Sequence, residues 1–240
     1  MVPFYSNMAQ GIKRVLALGL FVCCGCLAVS KANEAAFFDR WLQVQTNIQT
    51  WSADLRQTRS LKALTHPLRS EGKMWYVAPR RFRWELGHPP ETIVVREEAK
   101  MLLYYPALKR AEQYNLEQAE GPMKETLTLM EGGFPQSRAD MEQKFLIKFS
   151  GLTNGLGLLS LQPRSLAARR LMSRFDIWFS TNTYLLNATE LFFADGSALR
   201  NDFFNHQTNQ PISTNLMTLT LPAEVQLTTP LQPSANAKRR

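Results

Sequence analysis

Cysteine is confined to one end of this sequence. The three cysteines, Cys23, Cys24 and Cys26, all lie in an N-terminal apolar segment, and the chain after them has none. If that segment is removed during secretion, the remaining chain contains no thiol. Disulfide bonds, thiol nucleophiles and thiolate metal sites are then excluded.

Side chains suited to catalysis are also sparse. The three histidines, His66, His88 and His206, lie far apart, each beside a proline or an asparagine, and none has a second ligand at metal-site spacing. There is no Gly-x-Ser-x-Gly motif, and the glycines between residues 151 and 157 are not followed by the helix of a phosphate-binding loop. The composition indicates a binding protein that is not an enzyme and needs no cofactor.

The sequence has no continuous basic surface stripe. Its net charge is +8, of which Lys13, Arg14 and Lys31 supply three, leaving +5 for the chain after residue 32. The other basic pairs are scattered, and no recognisable nucleic-acid-binding module accompanies them. Nucleic acid is therefore excluded as a partner, and the positive charge is interpreted as solvated surface with a weak attraction to anionic lipid headgroups.

The N-terminus has the layout of a secretory signal peptide. Lys13 and Arg14 precede the apolar run of residues 15–29, and small residues surround Lys31 at the expected cleavage positions. The apolar run is short for a membrane span. We therefore predict a signal peptide at residues 1–32 and a mature chain starting at Asn33. Two alternatives stay open: a retained N-terminal anchor, and a lipoprotein signal acylated at Cys26, which Gly25 precedes.

The rest of the chain is predicted to be mainly β, as one domain at residues 33–230 with a disordered tail at 231–240. An apolar stripe of Phe37, Trp41, Val44 and Ile48 predicts an amphipathic helix over 34–50. Alternating apolar residues then predict about eleven strands, mostly sequential antiparallel neighbours. The predicted strands are 51–59, 68–76, 82–86, 92–96, 101–105, 145–149, 156–162, 172–180, 185–193, 199–205 and 216–225.

Two short helices interrupt the predicted strands. Gly121-Pro122 opens a helix on which Met123, Leu127 and Met130 share one face. Ser137 is predicted to cap a second helix that ends near Gln143. Helices inserted between the strands of a long open sheet can plug its open side.

The segment 72–106 is the most informative part of the chain. Phe82, Trp84 and Leu86 fall on one face of a predicted strand, while Arg83 and Glu85 fall on the other. Such alternation is typical of an antiparallel sheet with one solvated face. Two interpretations fit the apolar face: it packs in a closed core, or it lines an open cavity.

Several motifs of the chain, in order, resemble the LolA family. The central run is M-W-Y-x-x-P-x-x-F-R-W-E at 74–85, followed by P-x-E-T-I-V-V at 89–95 and Y-Y-P at 104–106. Upstream, 51–57 resembles the first strand of that family, and the segment 216–225 resembles its final strand with a Pro-x-x-Val tail. The resemblance covers roughly residues 34–227.

The resemblance implies a half-open antiparallel β-barrel with an N-terminal helix and a helical lid over an apolar cavity. Members of this family are periplasmic carriers that take acylated lipoproteins from the inner to the outer membrane. It implies a monomer that binds acyl chains of lipoproteins or other envelope lipids, and that meets an inner-membrane exporter and an outer-membrane receptor or membrane. The implied cavity walls are Phe82, Trp84, Leu86, Val94, Leu102 and Tyr104, with Leu127 and Met130 on the lid.

Two positions depart from the family pattern. Ala78 stands where related carriers have an arginine that helps to control the lid, and Glu97-Glu98 replaces an expected Asp-Gly turn. The first departure implies a looser lid and a cavity that opens without a dedicated exporter. Arg81 or Arg83 is the alternative source of the missing contact.

Other functions with the same fold stay open at this point. A lipid- or lipoprotein-sensing module and an anchored receptor resembling LolB are both compatible with the motifs. The cargo could also be an envelope lipid other than a lipoprotein.

Overall fold

The computed structural model describes residues 23–117, 134–135 and 137–229, with side chains described from Glu34 onward except for residues 150–153. The chain divides into two compact units, residues 1–40 and 41–240. The described part of the first unit is helical, and the whole sheet belongs to the second. Among the described residues, no helix has both the length and the hydropathy needed to cross a membrane.

Twelve strands and three α-helices make up the described chain. The helices are α1 (Cys23–Thr46), α2 (Arg138–Lys144) and α3 (Leu166–Leu171), with 3-10 turns at Pro106–Leu108 and Thr214–Met217. The strands are β1 (Thr50–Ser60), β2 (Leu68–Val77), β3 (Arg81–Leu86), β4 (Thr92–Arg96), β5 (Lys100–Tyr105), β6 (Arg110–Asn115), β7 (Phe145–Thr153), β8 (Leu156–Pro163), β9 (Met172–Ser180), β10 (Leu186–Phe193), β11 (Ala198–Thr208) and β12 (Gln226–Thr228).

All twelve strands form one open sheet in the order β12-β6-β5-β4-β3-β2-β1-β11-β10-β9-β8-β7. It consists of two antiparallel meanders, β1–β6 and β7–β11, joined by the long pairing of β1 with β11. The end strands β7 and β12 are not paired with each other, so the sheet is not closed into a barrel. This confirms the predicted mainly β fold and the half-open barrel.

One face of the sheet carries most of the large buried side chains, and we call it the concave face. On the first meander it carries Trp51 and Phe82, and on the second Ile177 and Phe179, all of them buried. Trp41, near the end of α1, is fully buried and lies 5.9 Å from Phe179, measured between ring centroids. The C-terminal part of α1 therefore packs on the second meander.

A glycine makes room for one of these rings. A Cβ atom at Gly157 on β8 would collide with the ring of Phe179, its partner on β9. The absence of a side chain at Gly157 therefore allows Phe179 to lie against β8 and to reach Trp41.

Several boundaries differ from the sequence predictions. The first helix ends at Thr46 and not at residue 50, and it already includes Cys23, the first described residue, before the predicted start. Strand β6 was not predicted, and neither was α3, which Ser165 caps by accepting a hydrogen bond from the Ala168 amide at 3.3 Å. The predicted Ser137 cap is confirmed, because Ser137 Oγ accepts from the Asp140 amide at 3.1 Å.

The predicted final strand at 216–225 is wrong. This segment contains part of the Thr214–Met217 turn and otherwise has no regular structure, and only Gln226–Thr228 pairs, in parallel with β6. The predicted helix at 121–132 lies outside the described residues.

Candidate functional site

The strand register brings a set of apolar side chains together on the concave face of the first meander. Trp84 lies opposite Met74 on β2 and Val94 on β4, and Val94 lies opposite Leu103 on β5. Directly opposite residues on antiparallel strands point to the same face. This row therefore continues across four strands.

A cavity of about 220 Å³ lies on this face. Met74, Phe82 and Trp84 line it from the first meander, and Phe134 lines it as well. From the other half of the molecule the apolar lining residues are Leu171, Met172, Phe175, Leu186, Leu191, Phe193, Leu199 and Phe203. Both meanders therefore contribute walls to one space.

This shared lining requires a strongly curved sheet. Strands β3 and β9 are five positions apart in the sheet order, which in a flat sheet would separate them by about 24 Å at the usual strand spacing. Residues from both strands nevertheless line the same 220 Å³ cavity. The two meanders must therefore bend towards each other.

A cluster of aromatic rings links the cavity to the core. Phe134 stacks on Tyr76 with ring centroids 4.1 Å apart and meets Trp51 edge-on at 5.3 Å. Trp51 also meets Phe203 at 5.2 Å. Because Phe134 and Phe203 line the cavity, Trp51 supports that wall from behind while being fully buried itself.

Polar groups are rare on this surface. Of the fourteen described residues that line the cavity, only Thr189 and Asn201 are polar. Both are buried, and Asn201 Nδ2 donates a hydrogen bond to Thr189 Oγ1 at 3.3 Å. Gln57 Nε2 in turn donates to Asn201 Oδ1 at 3.0 Å.

The predicted wall residues fall into four groups, of which the first two lie on the concave face. Phe82 and Trp84 line the cavity. Leu86 and Val94 are on the same face, since Leu86 alternates with Trp84 and Val94 is its partner, but they are not among the described lining residues.

Leu102 and Tyr104 were predicted on this face, and the register places them on the opposite one. Leu102 pairs with Val95, and Tyr104 pairs with Ile93. Leu103, their neighbour between them in sequence, shares the concave face with Trp84. The remaining predicted residues, Leu127 and Met130, lie outside the described residues.

On the opposite, outer face, the first meander contacts residues 214–218, which we call the C-terminal segment. Arg83 Nη1 donates to the carbonyl oxygens of Leu216 at 3.3 Å and Thr218 at 3.4 Å, and its Nε lies 2.6 Å from Glu85 Oε1. Arg81 precedes Phe82 on β3 and therefore points to the outer face, where it lines a groove together with Met217. Arg81 and Arg83 therefore lie on the face of β3 opposite Phe82 and Trp84.

The turn at Ala78 connects β2 and β3. The Ala78 amide donates to the Gln49 carbonyl at 2.8 Å, and Tyr76 Oη donates to the Pro79 carbonyl at 2.9 Å. These contacts join the turn to the segment between α1 and β1. They involve no charged side chain at position 78.

Arg96 is a charged residue on the concave face that was not among the predicted site residues. It is the last residue of β4, as the predicted strand 92–96 has it, and it lies opposite Phe82, only 5% exposed. A buried guanidinium on an apolar surface is costly unless its charge is compensated. The sequence signal was available, since Arg96 lies two residues from Val94 and therefore on the same face.

Burial shifts the pKa values of two ionisable groups, His206 and Tyr114. His206 packs beside Trp51 with ring centroids 5.7 Å apart, and burial lowers its pKa below the usual histidine value. On β6, burial and a 2.6 Å hydrogen bond to Glu112 raise the pKa of Tyr114. Within the described residues, no cluster of three or more His, Cys, Asp or Glu side chains could hold a metal ion.

Comparisons with known proteins give a consistent assignment. The family described as outer membrane lipoprotein carrier protein LolA matches residues 46–220. A relative from Bordetella avium (strain 197N), described as an outer-membrane lipoprotein carrier protein, is 25% identical over 215 residues, which is 89% of this chain and 95% of the relative.

Solved structures show weaker similarity. An uncharacterised conserved protein from Thermus thermophilus is 10% identical with a TM-score of 0.49, over 81% of this chain and 98% of that chain. The Pseudomonas aeruginosa MucA/MucB complex is 13% identical with a TM-score of 0.44, over 82% of this chain and 64% of that chain. This chain thus spans less than two thirds of the latter, and similarity at this level supports no functional argument. The match over residues 46–220 covers most of the sequence, and the chain therefore belongs to the LolA family.

Proposed function

We propose that this protein is a periplasmic carrier that binds the acyl chains of lipoproteins in the concave cavity and moves them from the inner to the outer membrane. The observation that carries the proposal is the cavity itself, in which twelve of the fourteen described lining residues are apolar. Its membership of the LolA family supports the same function.

Hydrocarbon burial supplies the binding energy. Each methylene group moved from water into an apolar pocket contributes roughly 0.8 kcal/mol, so a sixteen-carbon chain offers on the order of 10 kcal/mol before the costs of association. A hydrocarbon chain has no hydrogen-bonding groups, and apolar walls are what it requires. Phe82 and Trp84 provide such walls on β3.

The open sheet gives the cavity room to widen. At 220 Å³ the cavity is smaller than the roughly 300–1,000 Å³ of typical small-molecule pockets. No hydrogen-bonded ladder joins β7 to β12, so these two edges of the sheet can move apart while β1 and β11 stay paired. Leu86 and Val94, on the same face, would then contact a longer chain, with Leu127 and Met130 covering it from the lid.

The partners in this proposal are membrane components. The acyl-bearing cargo enters from an inner-membrane exporter or directly from the bilayer, and it leaves to an outer-membrane receptor or membrane. The protein works as a soluble monomer, without a cofactor and without catalysing a reaction.

Cargo bound in the cell tests the proposal. The protein would be purified from the periplasm without detergent, and its organic extract and co-purifying proteins analysed by mass spectrometry. We expect acylated lipoproteins, and we expect the loaded protein to transfer them to outer-membrane vesicles. Recovery of the protein without any acyl-bearing molecule would contradict the carrier function. Transfer of a phospholipid alone would contradict lipoproteins as the cargo and identify a phospholipid carrier instead.

A further inference from the structure

A row of three polar side chains crosses the apolar concave face. Asn201 on β11 lies directly opposite Thr189 on β10 and Gln57 on β1. Asn201, Thr189 and Gln57 are only 2%, 6% and 8% exposed, respectively. Their neighbours on the same face are Leu199 and Phe203, which alternate with Asn201 along β11 and line the cavity.

The hydrogen bonds within the row do not use all its donors. Gln57 donates to Asn201, and Asn201 donates to Thr189. A side-chain amide carries two N–H groups and a hydroxyl carries one O–H. One N–H of Asn201 and the Thr189 hydroxyl hydrogen therefore have no acceptor among the described residues, and both side chains line the cavity.

Such a row is unfavourable next to a plain hydrocarbon. A buried donor without an acceptor destabilises the state that contains it, and an alkyl chain offers no acceptor. A carbonyl oxygen at this position would accept from either donor. An ester-linked acyl chain has one carbonyl oxygen, and it adjoins the hydrocarbon that the remaining walls would bury.

We infer that Asn201 and Thr189 form a subsite for the ester carbonyl of the acyl ligand, with Gln57 positioning the Asn201 amide. This inference rests on the proposed function and specifies which part of the ligand lies at which place in the cavity. It predicts that the protein distinguishes an acyl ester from an ether of equal length. A lipoprotein's diacylglyceryl group and a membrane phospholipid both carry this ester.

A matched pair of ligands isolates the carbonyl. Monopalmitoylglycerol and hexadecylglycerol have the same headgroup and a sixteen-carbon chain, and they differ by the ester carbonyl. Each would compete with the apolar fluorescent probe N-phenyl-1-naphthylamine for the wild-type protein. We expect the ester to compete about three- to tenfold better than the ether, the range of one hydrogen bond.

Three variants locate the effect. Thr189→Val keeps the side-chain shape and removes the hydroxyl, and it should lower the ester preference. Thr189→Ser restores a hydroxyl and should recover the preference. Thr58→Val is the matched control, because Thr58 follows Gln57 on β1 and points to the outer face; it should leave the preference unchanged.

The outcomes separate this inference from the proposed function. Equal competition by ester and ether in the wild type, or a preference that Thr189→Val leaves intact, would overturn the subsite while leaving acyl binding in place. Failure of both ligands to displace the probe would overturn both. If the subsite exists, parallel competition by a diacylated lipopeptide and by phosphatidylglycerol shows which source of the ester binds more tightly.

Discussion

Two tryptophans on the concave face have different surroundings. Trp51 is fully buried between Phe134, Phe203 and His206, whereas Trp84 lines the cavity and is partly exposed. Removing a packed ring leaves a void that the surrounding core cannot fill. Removing a ring from a cavity wall enlarges a space that already exists.

Trp84→Ala should therefore weaken acyl binding more than it lowers stability. We expect Trp51→Ala to cost about 3–5 kcal/mol in the free energy of unfolding and Trp84→Ala to cost clearly less, with the larger loss of affinity for a fluorescent fatty acid. Urea denaturation and probe titration measure the two quantities. An equally severe loss of stability in Trp84→Ala, with no separate binding defect, would show that Trp84 is part of the packed core and not a binding residue.

His206 should make stability depend on pH. Because burial lowers its pKa, the folded state holds the neutral imidazole and unfolding takes up a proton once the pH falls below the unfolded-state value of about 6.5. The free energy of unfolding should decrease between about pH 7 and pH 5 in the wild type, and less so in His206→Gln. The control His88→Gln changes an exposed histidine and should follow the wild type; identical pH slopes in all three proteins would contradict the assignment.

At the scale of elements, the strands with clear alternation were predictable. Strands β1 to β3 were found within a residue or two, because a half-buried strand repeats its apolar residues at every second position. Strand β6 was missed because its sequence, Arg110–Asn115, is mostly polar and buries only Ala111 and Tyr114.

The sequence of β5 could not predict which of its residues point to the concave face. Met101 to Tyr105 are all apolar or aromatic, so the run has no alternation, and only pairing with β4 decides which residues face the cavity.

The strand predicted at residues 216–225 was wrong for another reason. It contains alternating apolar residues, but only Met217 is buried, and Arg83 contacts it through the carbonyl oxygens of Leu216 and Thr218.

Arg83 should fasten that C-terminal segment to β3. Its side chain is 11% exposed and reaches two carbonyl oxygens of the segment. Arg83→Met keeps most of the side-chain bulk and removes these charge-assisted hydrogen bonds, which contribute about 1.5–3 kcal/mol each. We expect faster hydrogen exchange at residues 214–218 and unchanged acyl binding.

The control for this variant is Arg56→Met. Arg56 pairs with Glu71 at 3.0 Å, but both side chains are more than half exposed, and such surface pairs contribute about 0–1 kcal/mol. It should leave exchange in the segment unchanged. A binding defect in Arg83→Met without faster exchange would mean that the outer face takes part in ligand binding.

At the scale of the whole molecule, the chain is an open twelve-stranded sheet whose two meanders share one apolar cavity. The succession of family motifs along the chain predicted the half-open barrel and its apolar cavity, but not strand β6 or the parallel pairing of β12. The polar row of Gln57, Asn201 and Thr189 was not predictable, because its members are far apart in sequence and come together only through the pairing of β1, β11 and β10.

The mature form of the molecule is a separate prediction. We expect a chain that starts near Asn33, since small residues surround Lys31 at the cleavage positions. Intact-mass measurement of the protein from its native host checks this. A mass that includes acyl groups on Cys26 would contradict a soluble carrier and support an anchored receptor.

The central claim is that acyl chains bind on the concave face between the two meanders. Photocrosslinking with a palmitate analogue that carries a diazirine at its chain end tests this most directly. We expect adducts on peptides containing Phe82 and Trp84 and on those containing Leu191 or Leu199, with less labelling when unlabelled palmitate competes. Adducts confined to the outer-face segment 210–218, or no labelling that palmitate displaces, would contradict it.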